Sequence, residues 1–91
     1  MLDELLILKK IKGGDIKAFE ELFRRYYFPL CCYAAGITGQ MEVAEEIVEE
    51  LFYVLWKERE RLQIFQSVKS YLYRATRNQS LQYCEHEEIG R

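Results

Sequence analysis

Residues 41–61 read MEVAEEIVEELFYVLWKERER. Ala44, Ile47, Val48, Leu51, Leu55 and Trp56 recur at steps of three and four, while Glu42, Glu45, Glu46, Glu49 and Glu50 fall between them. A period near 3.6 puts the first set on one face of a helix and the second toward water; the period of two of a strand would mix them. The stretch from Met41 to Arg61 is therefore expected to be one amphipathic helix, its glutamates near the positive end of the helix dipole. Such a stripe has to be buried against something, so the flanking sequence decides the fold.

Upstream, Ile16, Phe19, Phe23, Tyr27, Leu30, Ala34 and Ile37 keep the same spacing, with Asp15 where an N-cap belongs and Thr38-Gly39 ending the pattern. Pro29 lies inside this second helix. It removes the bond to the carbonyl of Arg25, at a cost of about 3 kcal/mol unless other contacts offset it, and a kink at Pro29 is expected rather than a break. Earlier still, Leu2, Leu5, Leu6, Leu8 and Ile11 form a short lead-in helix stopped by Gly13-Gly14. The aromatic cluster Tyr26, Tyr27, Phe28 and Tyr33 reads mostly as packing.

Downstream, a connector from about Leu62 to Gln66 leads to Ser67, an N-cap for a fourth helix that ends near Glu85. No run alternates with period two between turn residues. The expected fold is all-α, a compact bundle of about four helices in a single domain over 1–91, with its core at about 14–85.

The chain has 91 residues and a formal net charge of -2, which disfavours indiscriminate nucleic-acid binding driven by cations on phosphates. Charge is segregated: five glutamates and no cation lie between Glu42 and Glu50, whereas Lys57 to Tyr83 holds six cations against Glu58 and Glu60. Cys31, Cys32 and Cys84 form no CxxC and His86 stands alone, so neither a disulfide framework nor a zinc site is suggested, and a reducing cytoplasm fits best. The opening MLDELLILKKIKGGD lacks the pattern of a signal peptide or a membrane span. No nucleophile-base pair, phosphate-cradling glycine loop or metal motif is present; the expectation is a protein that is not an enzyme and carries no cofactor or metal.

The fourth helix, SVKSYLYRATRNQSLQY from Ser67 to Tyr83, has little apolar surface. On a helical wheel Val68, Leu72 and Ala75 share a narrow core side with Gln79. Tyr71, Arg74 and Asn78 cluster on one shoulder, and Lys69, Tyr73, Arg77 and Ser80 lie on the other side. Cations for phosphates, rings for bases and an amide for a base edge suit nucleic acid, single strands in particular. The same residues also suit half-buried tyrosines and arginines that snorkel from a bundle surface. The glutamate row, bland by itself, has Phe52, Tyr53 and Trp56 beside it, as helix-docking surfaces do. A helical adaptor that binds only protein is therefore open as well.

Three blocks in order, GDIKAFEELFRRYY, AEEIVEELFYVLW and SYLYRATRN, resemble region 2 of the sigma-70 transcription factors, specifically the extracytoplasmic-function (ECF) group. The resemblance covers about Gly14 to Tyr83. It implies a helical domain that carries RNA polymerase to promoters. The helix of Ala44 to Trp56 would dock on the clamp helices of the largest polymerase subunit through Glu46, Glu49, Glu50 and Tyr53. The fourth helix and the loop from Leu62 to Ser67 would recognise the minus-ten element and hold a base flipped from its non-template strand. By position Asn78 would face this DNA, Tyr71 and Tyr73 would occupy the melting segment, and Lys69, Arg74 and Arg77 would meet phosphates. The family usually has glutamine at the position of Glu49 and often tryptophan at that of Tyr71.

Core polymerase and promoter DNA are thus the implied partners, an anti-sigma factor is one that the resemblance admits, and a cytoplasmic monomer is expected. The family's region 4 helix-turn-helix is not found in these residues, so the expectation is a domain cut from a longer protein.

Overall fold

Asp15 sets the start of the longest helix. Its backbone is extended and its carboxylate accepts hydrogen bonds from the amides of Lys17 and Ala18 at 3.0 and 3.2 Å, satisfying donors that the first turn cannot. The computed structural model describes residues 3–63 and 67–89. Within them the order is α1 (Asp3–Lys12), α2 (Ile16–Thr38), α3 (Met41–Lys57), a 3-10 turn (Arg59–Arg61) and α4 (Val68–Ile89), with no strand among the described residues. The fold is the all-α bundle the periodicity implies.

Helix α2 runs through Pro29 without a break and stops at Gly39, whose φ of 77° is left-handed and whose amide returns to the carbonyl of Ala35 at 2.8 Å. It is the central element, packed against α3, α4 and α1. The turn between α1 and α2 likewise uses a left-handed glycine, Gly14, at φ 91°.

Before α4, three details of the sequence reading change. Helix α3 ends at Lys57, not Arg61, because the chain tightens into the 3-10 turn and brings Leu62 back into the core. The Arg59 guanidinium donates to the carbonyl of Trp56 at 2.9 Å and lies 4.3 Å from the centre of its ring, which caps the end of α3. Lys12 Nζ donates to the carbonyl of Leu62 at 2.8 Å, fastening the turn to α1. The connector expected over Leu62 to Gln66 is described at Leu62 and Gln63, and positions 64–66 lie outside the described residues.

Second, α1 buries Leu8 and Ile11 with Ile7 beside them, while Leu5 and Leu6 are exposed. Glu4 fixes that rotation by accepting from the Tyr26 hydroxyl at 2.7 Å and pairing with Arg25 at 3.4 Å. Burial, helped by Glu4, pushes the Tyr26 hydroxyl up to about 12, so it stays a donor at ordinary pH.

Third, Phe52 is not a surface anchor beside the glutamates. It is 1% exposed and meets Phe23 and Phe19 edge-on at ring distances of 5.0 and 6.1 Å. Ala44, Val48, Phe52 and Leu55 form the buried stripe of α3, with Ile47, Leu51 and Trp56 half-buried along it.

Helix α4 is seated differently. Ser67 caps it by accepting from the amide of Ser70 at 3.1 Å, as expected, and it extends to Ile89 rather than Glu85. Its buried positions are Val68, Leu72, Thr76 and Ser80, at steps of four. Ala75 is half-buried and Gln79 exposed, so the seat lies rotated from the predicted stripe, and Ser80 is buried rather than displayed.

The hydroxyls of Thr76 and Ser80 are buried without a hydrogen-bond partner among the described residues. A buried hydroxyl that is left unpaired costs about 1–3 kcal/mol. Thr76→Val, nearly isosteric, is accordingly expected to raise the thermal midpoint by about 4 °C or more, the shift that about 1 kcal/mol produces in a domain of this size. Calorimetry checks this, and a lowered midpoint would show that the hydroxyl is satisfied in solution.

Candidate functional site

The outer face of α3 carries Glu42, Glu45, Glu46, Glu49 and Glu50, all exposed, and Tyr53 follows them at 59% exposure. Among the described residues no lysine or arginine closes on any of the five glutamates. On α2, Arg24 and Arg25 pair with Glu21, and Arg25 also with Glu4. Those two arginines hold the Glu21 carboxyl below its ordinary range. The α3 row is thus a patch of negative charge without internal neutralisation, which is what a cationic partner would meet.

Glu49 has one neutral neighbour. The Tyr27 hydroxyl donates to its Oε2 at 3.0 Å, across from α2. Burial, then this carboxylate, then the Cys31 thiol push the Tyr27 hydroxyl well above its usual range, so it keeps its proton. Burial likewise pushes up the Cys31 thiol. Lys57 Nζ sits 5.9 Å from the centre of the Tyr53 ring, so the far end of the acidic row is capped by a cation over an aromatic face.

On α4 the six candidate residues separate into two groups. Tyr71, Arg74 and Asn78 are exposed and, at steps of three and four, form a ridge opposite the buried seat. Lys69, Tyr73 and Arg77 run at steps of four along the flank that faces α2. There Tyr73 is half-buried, edge-on to Tyr33 at 5.1 Å, with Lys69 Nζ 6.0 Å from its ring centre. Tyr71 is 37% exposed, whereas Tyr73 is half-buried, its ring set against Tyr33.

The ridge and the acidic row are not on separate sides of the molecule. A groove of about 760 Å³ runs between α3 and α4, floored by Val43, Ile47, Leu51, Val54 and Ala75. Glu46 and Glu50 form one rim, and Asn78, Gln79 and Gln82 the other, with Tyr83 closing one side. Asn78 therefore belongs both to the outer ridge and to the rim facing the glutamates. Sequence reasoning missed Gln79 and Gln82 as groove residues. The signal was the polar recurrence at 78, 79 and 82, a helical face too polar to be core. Tyr27 as a partner of Glu49 had no sequence signal, because the pairing joins two helices.

The shape is that of a binding module. Exposed carboxylates and amides rim an apolar furrow, with Arg74 on the adjoining ridge, and no described helix is long and apolar enough to cross a membrane.

A family model described as Sigma-70 region 2 matches residues 22–88. The match takes in most of α2, all of α3, the 3-10 turn and all of α4 but its last residue, and it begins eight residues into the first of the three blocks. No curated protein and no solved structure matches the chain.

Proposed function

Because the chain belongs to the sigma-70 region 2 family, whose members bind RNA polymerase and recognise the promoter minus-ten element, we propose that it is the region 2 domain of an ECF sigma factor. In this reading α3 docks on the clamp helices of the largest polymerase subunit through Glu46, Glu49, Glu50 and Tyr53. Helix α4 receives the non-template strand of the minus-ten element, with Asn78 at a base edge, Tyr71 stacking, and Arg74, Arg77 and Lys69 on phosphates. Tyr73, half-buried against Tyr33, supports that surface from the flank. The domain works in the cytoplasm as a monomer, and an anti-sigma factor is a natural competitor for the same faces.

The observation that supports the reading is an acidic row that no described lysine or arginine neutralises, two of whose members, Glu46 and Glu50, face Asn78 of the α4 ridge across one groove. A partner bound to the row would hold DNA beside the ridge. Opening DNA costs a few kcal/mol per unstacked step, which trapping and stacking an extruded base can offset. The net charge of -2 fits a domain whose own affinity for DNA is low.

Run-off transcription by core polymerase with the full-length protein tests the function directly. In that assay Asn78→Ala should relax minus-ten preference, since a good base-edge contact discriminates by about 1–3 kcal/mol. An unaltered promoter profile would remove Asn78 from the reading role.

A further inference from the structure

The row of glutamates on α3 is uniform in sequence but not in structure. Glu42, Glu45, Glu46 and Glu50 are held by no hydrogen bond from another side chain among the described residues, whereas Glu49 receives the Tyr27 hydroxyl at 3.0 Å. The donor is itself rigidly placed. The Tyr27 ring stacks on Phe23 at 4.7 Å with planes 21° apart, and Phe23 abuts the buried Phe52 at 5.0 Å. A line of rings thus leads from the centre of the core to one carboxylate oxygen on the surface.

We propose that Tyr27 is the positioning residue for Glu49: its core-anchored hydroxyl occupies Oε2 and presents Oε1 in one orientation to a cationic group of the docking partner. This rests on the docking reading above and deepens it by distinguishing one glutamate of the row from the rest. An exposed glutamate loses side-chain freedom when a partner immobilises it. Glu49 has surrendered part of that freedom in the free protein. The hydroxyl is neutral, so it orients the carboxylate without cancelling the charge that attracts the partner. Glu46 and Glu50, untethered, supply attraction; Glu49 supplies geometry.

The test is Tyr27→Phe, which keeps the ring stack and removes only the donor. In the free protein, side-chain NMR couplings of Glu49 should pass from one dominant rotamer to averaging, and unchanged rotamer populations overturn the proposal whatever happens with polymerase. Binding to a clamp-helix fragment should weaken about three- to tenfold, the scale of one ordinary net hydrogen bond, because the carboxylate itself remains. In a Glu49→Ala background the same substitution should have no effect on binding. An equal loss in both backgrounds means that Tyr27 acts through general packing, and overturns the link. Failure of docking itself has a different signature, namely that reversing the charges of Glu46 and Glu50 leaves binding intact.

Discussion

Glu46→Arg combined with Glu50→Arg is expected to reduce binding to a clamp-helix fragment at least about hundredfold, which is about 2.7 kcal/mol. Both carboxylates sit on the groove rim and neither is neutralised by a described lysine or arginine, so reversal removes two attractions and installs two repulsions against a cationic partner. Like charges brought together at an interface cost several kcal/mol. The free protein should barely notice, because substitutions at exposed positions without partners usually change stability by about 0.5 kcal/mol or less. Titration calorimetry with the fragment and circular dichroism on the double variant separate the two effects. Binding that persists in a fully helical variant would falsify docking through this face.

Phe52→Ala should be the most damaging single change to the fold, lowering stability by about 3–5 kcal/mol. The ring is 1% exposed and forms the hub of Phe19, Phe23 and, through Phe23, Tyr27. Removing it leaves a void between α2 and α3 that helix backbones cannot close. Small domains hold only about 5–15 kcal/mol in total, so the variant should be close to its unfolding transition at ambient temperature. Urea titration measures the loss. A change under about 1.5 kcal/mol would mean that neighbouring rings refill the space.

Helices were legible wherever local chemistry marks them. Asp15, Gly39 and Ser67 act through hydrogen bonds and backbone angles that depend on near neighbours in sequence, and each does what its residue type promises. The core was legible in outline and blurred where apolar residues are contiguous. In Leu51–Trp56 every residue is apolar or aromatic, so periodicity disappears, and Phe52 was placed by its neighbours rather than by its register with Val48 and Leu55. The seat of α4 was hidden for the opposite reason: Thr76 and Ser80 occupy core register but carry hydroxyls, which a hydropathy reading sends to the surface. The site residues were named from motif order, and their grouping into ridge, flank and groove depended on how α3 and α4 lie together, which no single segment encodes.

That hydroxyl-bearing seat matters for how such a domain can diversify. Val68, Leu72, Thr76 and Ser80 hold α4 in place, and none of them belongs to the ridge of Tyr71, Arg74 and Asn78. The two sets interleave along the chain yet share no position. Descendants of this sequence can therefore exchange ridge residues, and under the proposed function the promoters they favour, while inheriting the seat unchanged. The vocabulary can drift without renegotiating the grammar of the fold.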